Sequence, residues 1–194
     1  GIGLFMLAEP VIALLYPSIG SAKHASSGAL LEILAIGVIF LTLVQAFTAI
    51  LQSVNKQYQP VKNLAFGLVI KVILSYILIG IPSINIKGAA VSTTVAYLFV
   101  ALLNWRDVNK TKIKVNLIEI TARPLLSSAV MALATGISFW VLKSVLGSQS
   151  FATLGAIAIA VVVYAVCLFL TGAITRQDLE LIPKGEKLTK FVRK

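Results

Sequence analysis

The sequence predicts an all-α protein, a polytopic transmembrane helical bundle of about six spans. The first reason is composition, because 58% of the 194 residues are hydrophobic and only 12% are charged, whereas soluble domains carry about 25% charged residues. The second is that the apolar residues fall in long runs, and ~20 such residues cross a ~30 Å hydrocarbon core as a helix. The third is the distribution of Lys and Arg between those runs.

Six apolar runs follow one another along the chain. The first contains Glu9-Pro10 and reaches only about 22 Å as a helix, so we expect a transmembrane helix clipped at its N-terminus. The residues PSIGSAKHASSG after it predict a polar loop, and the very short GSQS sequence between the last two runs predicts a helical hairpin. The six predicted spans are Ile2–Tyr16, Ala29–Ser53, Val61–Ile81, Gly88–Asn104, Ala122–Leu146 and Phe151–Thr175.

These spans divide the chain into four segments. Residues 1–104 are expected to form transmembrane helices, 105–121 a basic cytoplasmic loop with amphipathic pieces, 122–175 the terminal helix hairpin and 176–194 a basic cytoplasmic tail. The opening GIGLFMLAEP has no initiating Met and no basic region, which is unlike a signal peptide. We therefore expect the chain to be the C-terminal piece of a longer protein.

The Lys and Arg residues predict the orientation, because cytoplasmic loops near span ends collect them. With the C-terminal tail inside, six spans place Lys23, Lys87 and Lys143 outside and Lys71 within the membrane. The other basic residues then lie inside: Lys56, Lys62, Arg106, Lys110, Lys112, Lys114, Arg123, Arg176, Lys184, Lys187, Lys190, Arg193 and Lys194. This asymmetry predicts a multi-pass protein of the cell membrane with both ends of the chain in the cytoplasm.

The composition argues against several functional classes. The only histidine, His24, lies in the predicted polar loop, and the sequence contains no GxSxG, no HExxH and no paired Asp cluster, so we expect no catalytic residues. The single Cys167 lies in an apolar run and suits neither a disulfide nor a metal site. We therefore predict no enzyme, no metal and no cofactor. The basic residues fall in loops rather than on one surface, so we do not expect nucleic acid as a partner. We expect membrane lipid instead.

Lys71 is the first candidate for function, because a cation at the centre of a span costs about 3 kcal/mol or more. On the same helix Asn63, Gly67, Lys71 and Ser75 recur every four residues and form one polar or small stripe. Glu9 lies at a similar predicted depth on the first span. Two interpretations stay open: the stripe lines a cavity, or Lys71 and Glu9 form a structural ion pair.

Two further patterns concern helix packing. Gln45, Thr48 and Gln52 share one face of the second span, which is explained either by interhelical hydrogen bonds or by a substrate path. The small residues Gly88, Ala89 and Ala90 at the start of the fourth span predict close packing of helices.

The ordered series LAEPVIALLYP, ILQSVNKQYQPVKN, VIKVILSYILIGIPSINIKGAAVSTT and TRQDLELIPKGEKL resembles the C-terminal half of polysaccharide flippases of the multidrug/oligosaccharidyl-lipid/polysaccharide superfamily. It is most similar to the stage V sporulation protein B group. The resemblance implies a lobe of a two-lobe transporter whose N-terminal lobe is missing here. By position, Gln52, Lys56, Pro60 and Asn63 match the short cytoplasmic connection of that family, Lys71 its intramembrane lysine and Gly88 to Ala90 its GAA sequence. Asn55 stands where the family usually has glycine.

The resemblance implies a function in cell-wall or polysaccharide biosynthesis. A protein of that group moves an undecaprenyl-pyrophosphate-linked saccharide across the membrane by alternating access, so its partners are membrane lipid, the lipid-linked saccharide and the missing lobe. A water-filled path with cationic contacts would suit the charged head group. The alternatives are a cation-coupled multidrug exporter, in which Glu9 would dominate, and a non-transporting scaffold.

Overall fold

The computed structural model describes residues 1–111 and 117–172, and the regular elements within them are all helical. A short 3-10 turn at Pro17–Ile19 separates the second helix from the third. The helices are α1 (Ile2–Met6), α2 (Ala8–Leu15), α3 (Ser21–Ser53), α4 (Tyr58–Ile79), α5 (Lys87–Asn109), α6 (Leu117–Leu146) and α7 (Gln149–Leu170). The five helices α3 to α7 are long and apolar enough to cross a membrane. The prediction of an all-α polytopic bundle is confirmed.

The first predicted span consists of the two short helices α1 and α2, which are separated at Leu7. The backbone of Leu7 leaves the helical region, with φ −110° and ψ 18°. Pro10 explains the break, since it lacks the N–H that would bond to the carbonyl of Met6 and its ring opposes that same carbonyl. The expected single helix is therefore interrupted one turn before the proline.

α3 begins eight residues earlier than predicted. The prediction of a polar loop holds only up to Gly20, whose φ of 76° lies in the left-handed region that glycine adopts readily. Helix α3 starts at Ser21, because the residues that follow contain no proline and the first glycine among them is Gly28. Gly28 is buried and faces the Glu9 backbone, where an added Cβ would lie 3.0 Å from the Glu9 Cα. The polar segment is thus helical because it packs on α2.

The remaining boundaries shift by a few residues. α4 begins at Tyr58, so that Pro60 lies in its first turn, where proline is tolerated. α5 continues to Asn109 and α6 begins at Leu117, so much of the predicted loop 105–121 is helical. Residues 112–116, the end of the predicted hairpin after residue 172 and the basic tail 176–194 lie outside the described residues.

The chain divides into two compact units, of which the first contains α1 to α5. Within it α2 packs on α3, and α5 packs on both α3 and α4. Val44, Val100 and Ala101 form the buried apolar cluster, with Leu43 against it. Large apolar side chains on the outer face of α4 are exposed, for example Tyr76 at 86%. Such exposure is what a lipid-facing helix surface requires.

The second unit is the hairpin of α6 and α7. Gly147, with φ 63°, turns the chain between the two helices. Ala152, Ala156 and Ala160 are buried on α7 at intervals of four residues, which lets the helices approach closely. At the other end of the hairpin the Arg123 guanidinium donates to the carbonyl oxygen of Gly172 at 2.9 Å.

Candidate functional site

The polar stripe predicted on α4 faces α5. Asn63 and Gly67 are buried, and Lys71 and Ser75 are half-buried, while the residues between them are mostly exposed. Gly67 lies against Val100, because a Cβ built at residue 67 would overlap the Val100 Cγ2 atom. The Ser75 and Ser92 hydroxyl oxygens are 2.6 Å apart. We call this contact line between the two helices the α4–α5 seam.

The α5 side of the seam has its own four-residue repeat. It consists of Gly88, Ser92, Ala96, Val100, Asn104 and Val108, all of them buried. The first member allows a close approach, since a Cβ on Gly88 would lie 2.7 Å from the Leu78 Cβ. Ala89 is half-buried and Ala90 is buried, so the GAA sequence stands where the two helices come together. The N-terminal part of α4 contacts the C-terminal part of α5, so the two helices are antiparallel.

Lys71 lies in the seam between Gly67 and Ser75. Its side chain is half-buried. None of the carboxylates in residues 1–111 lies within 4.0 Å of its amine, since the salt bridge found there joins Lys110 and Asp107. The half-buried cation therefore has no acidic partner among residues 1–111.

The structure does not bring Glu9 and Lys71 together. Glu9 is exposed on α2, which packs on α3, whereas Lys71 belongs to α4, which packs mainly on α5. The equal depth expected from the sequence is not sufficient for pairing, because α3 and α5 stand between the two helices. A structural Glu9–Lys71 ion pair is not formed.

The stripe predicted on α3 separates into two kinds of residue. Thr48 is half-buried, and its hydroxyl accepts a hydrogen bond from the Asn104 amide at 3.3 Å. Gln45 and Gln52 are exposed. Interhelical hydrogen bonding thus accounts for Thr48, while the two glutamines present their amides away from the α3–α5 contact.

A polar network connects three helices at one end of the first unit. The buried Asn63 amide donates to the Asn104 side-chain oxygen and to Asp107 Oδ2, each at 2.9 Å. The other oxygen of Asp107 accepts from Lys110 Nζ at 3.2 Å. Asn104 continues the network to Thr48 on α3. The network satisfies the amide of a residue that is 95% buried, which removes the cost of an unsatisfied polar group.

Sequence reasoning identified Asn63 but missed Asn104 and Asp107. The predicted fourth span ends at Asn104, and the predicted loop 105–121 contains Asp107. Two signals point to them: Asn104 belongs to the four-residue repeat that starts at Gly88, and Asp107 follows it by three residues, on the same helix face. If the predicted fourth span continued one turn beyond Asn104, both side chains would lie within it, at the membrane interface.

A cavity of about 340 Å³ opens beside this network. It lies at the end where α3 finishes, α4 starts and α5 finishes. We call it the basic pocket, since four of its side chains are cationic and one is acidic. It is lined by Lys56, Gln59, Lys62, Asn63, Phe66, Leu103, Arg106, Asp107 and Lys110.

The turn that carries Lys56 into the pocket depends on Asn55. Its φ of 59° is in the left-handed region, which asparagine enters more readily than other non-glycine residues. The backbone N–H of Lys56 then bonds to the Leu51 carbonyl at 2.9 Å and closes the end of α3. Asn55 thus adopts a left-handed backbone conformation of the kind that glycine enters most readily.

Comparison with known proteins places this fold in a family. The family model "Lipid II flippase MurJ" matches residues 1–161. The chain belongs to the lipid II flippase MurJ family. The resemblance to lipid-linked saccharide flippases is thereby confirmed, and the run of apolar helices agrees with a multi-pass membrane protein.

Two curated relatives come from Bacillus subtilis (strain 168). The chain is 27% identical over 197 aligned residues to the uncharacterized membrane protein YabM, covering 99% of this chain and 36% of the relative. It is 29% identical over 144 residues to the lipid II flippase MurJ, covering 73% of this chain and 26% of that protein. The chain thus spans about a third of the length of the first relative and about a quarter of that of the second. No solved structure was found to match it.

Proposed function

We propose that this chain is one lobe of a transporter, not an enzyme, that moves an undecaprenyl-pyrophosphate-linked saccharide across the cytoplasmic membrane by alternating access. The observation that carries the proposal is the MurJ family match over residues 1–161. The chain covers 36% of YabM and 26% of the Bacillus subtilis MurJ, which supports a second lobe as its partner. The five long apolar helices are consistent with a lobe embedded in lipid.

Within this lobe we assign the substrate path to Lys71, with Gln45 and Gln52 as further contacts. A doubly charged diphosphate crosses hydrocarbon only along a polar path with cationic contacts. Lys71 supplies a cation inside an apolar helix and lacks a carboxylate partner in the described residues. Asn63 and Ser75, by contrast, use their hydrogen bonds on α5, so in this assignment they hold the seam that presents Lys71.

The proposal places both ends of the chain in the cytoplasm. The convergence of Lys56, Lys62, Arg106 and Lys110 at one end of α3, α4 and α5 supports this, since positive residues collect on the cytoplasmic side. Single cysteines introduced by Gln57→Cys and by Ser83→Cys, in a background lacking Cys167, test it. We expect a membrane-impermeant maleimide to label intact cells at residue 83 and not at residue 57. The opposite pattern would reverse the orientation.

Transport is tested with the full-length protein in proteoliposomes that contain a defined undecaprenyl-diphosphate saccharide. We expect wild-type protein to expose the saccharide on both leaflets, Lys71→Ala to abolish this and Lys71→Arg to reduce it less. Lys143→Ala removes an exposed lysine of α6 and is the matched control, for which wild-type activity is expected.

Each outcome of this assay has a defined meaning. Wild-type flipping by Lys71→Ala would remove Lys71 from the path while leaving transport intact. Absence of flipping by well-folded wild-type protein would contradict transport itself and favour the scaffold alternative. Size-exclusion chromatography of every variant shows whether a loss of flipping reflects a loss of fold.

A further inference from the structure

The basic pocket combines positive charge with an apolar inner edge. Lys56, Lys62 and Arg106 are exposed, and in the part of the chain that the structure describes none of them has a carboxylate within 4.0 Å. The acidic lining residue, Asp107, forms a salt bridge with Lys110, and one carboxylate does not neutralise the four cations of the pocket. Three cations therefore remain available to a ligand.

The position of the pocket along the helices is equally informative. Phe66 lies one turn beyond Lys62 on α4, and Leu103 lies one turn before Arg106 and Asp107 on α5. Since α4 runs away from this end and α5 runs toward it, both apolar side chains border the pocket on the side of the membrane interior. The Lys62 amine stands 5.9 Å from the centre of the Phe66 ring, which keeps the cation beside the apolar edge.

This arrangement matches an amphipathic anion better than a soluble one. A cavity of about 340 Å³ is at the small end of ligand pockets, which hold about 300–1,000 Å³. Arg and Lys are the side chains that recognise phosphoryl oxygens, and basic pockets between transmembrane helices bind lipid head groups. The apolar edge formed by Phe66 and Leu103 provides the surface along which the first carbons of a lipid would lie.

We propose that the basic pocket binds the phosphoryl head group of an anionic membrane lipid through Lys56, Lys62 and Arg106. The chemistry is shared by two sources, the phosphodiester of a phospholipid such as phosphatidylglycerol and the diphosphate of an undecaprenyl-linked lipid. The inference rests on the membrane location of the helices and does not require transport. If the diphosphate lipid is the ligand, the pocket is the site where the substrate of the proposed transporter first binds.

The test is a lipid titration of the detergent-solubilised full-length protein followed by native mass spectrometry. The probes are phosphatidylglycerol, undecaprenyl diphosphate and zwitterionic phosphatidylcholine. Each cation near a lipid phosphate contributes about fivefold in affinity, so the double variant Lys62→Gln, Arg106→Gln should bind the anionic lipids about 30-fold more weakly. The control, Lys87→Gln with Lys143→Gln, removes the same charge from exposed positions elsewhere and should bind as wild type does.

The outcomes separate the site from its ligand. Stronger binding of undecaprenyl diphosphate than of phosphatidylglycerol, lost in the pocket variant alone, supports the site and identifies the lipid-linked substrate as its occupant. The reverse preference supports the site and identifies bulk phospholipid. Equal weakening by the pocket and control variants, or no preference for anionic lipids over phosphatidylcholine, overturns the proposal. A loss of flipping with unchanged lipid binding would concern the transport proposal instead.

Discussion

Gly67→Ala is the sharpest test of the α4–α5 seam. An added Cβ would overlap the Val100 Cγ2 atom, and the Ala96 carbonyl oxygen lies 3.7 Å from the same point. Val100 cannot turn aside easily, because a β-branched side chain in a helix keeps one χ1 rotamer in about 90% of cases. The methyl group must therefore separate the two helices or distort Val100.

The expected magnitude is the difference between two opposing effects. Overpacking a tight contact costs about 1–3 kcal/mol, while replacing glycine by alanine within a helix gains up to about 1 kcal/mol. Gly67→Ala should thus lower the free energy of unfolding by about 1 kcal/mol. In a Val100→Ala background the obstructing methyl groups are absent, so the same substitution should become neutral or stabilising by up to about 1 kcal/mol.

Reversible unfolding in mixed micelles, followed by circular dichroism, measures these free energies. The matched control is Gly80→Ala at the end of α4, where φ is −65° and an added Cβ would stand 3.4 Å from the nearest carbonyl oxygens. We expect little change there. The reasoning fails if Gly67→Ala costs the same with Val100 and with alanine at residue 100, or if it is as mild as Gly80→Ala.

Two other predictions follow from the hydrogen bonds and from the separation of charges. Asn104→Leu removes a partner of the Asn63 amide and should lower the free energy of unfolding by about 1–2 kcal/mol. The control Asn109→Leu, at an exposed position of the same helix, should lower it little. Equal losses of stability would mean that the network contributes nothing. Because Glu9 and Lys71 are not paired, the effects of Glu9→Gln and Lys71→Ala on the free energy of unfolding should add within about 0.5 kcal/mol. A larger coupling would show that the two residues interact.

The sequence was sufficient for the architecture because apolar run length is a strong signal in a membrane protein. It also predicted that Asn63, Gly67, Lys71 and Ser75 share a helix face, since a spacing of four residues decides this without tertiary information. It could not predict what that face contacts. The same stripe suits a cavity or a packed seam, and only the position of α5 shows that Asn63 and Ser75 are hydrogen-bonded across helices.

Contacts between elements are what the sequence predicted least well. Of the two interpretations left open for Lys71, the ion pair with Glu9 rested on similar depth alone. Residues at one depth meet only if their helices pack together, and α2 packs on α3 rather than on α4. The start of α3 was misplaced because SAKHASSG is polar, although its packing on Glu9 stabilises it as helix. The basic pocket was not predicted for the same reason: Arg106 is far from Lys56 and Lys62 in sequence and meets them only because α5 folds back on α4.

The length of α3 has a mechanical consequence. Its 33 residues extend about 50 Å, and even a tilt of ~40° leaves a projection of about 38 Å against a hydrocarbon layer of ~30 Å. At least a full turn of α3 must therefore stand clear of the lipid tails. At its first turns the ring of His24 lies 2.7 Å from the Tyr16 carbonyl oxygen, beside the irregular link that ends at Gly20. The end of α3 that extends beyond the lipid tails therefore holds the link before Gly20 in water. There the carbonyl groups of the link can form hydrogen bonds with water and need no partner within the protein.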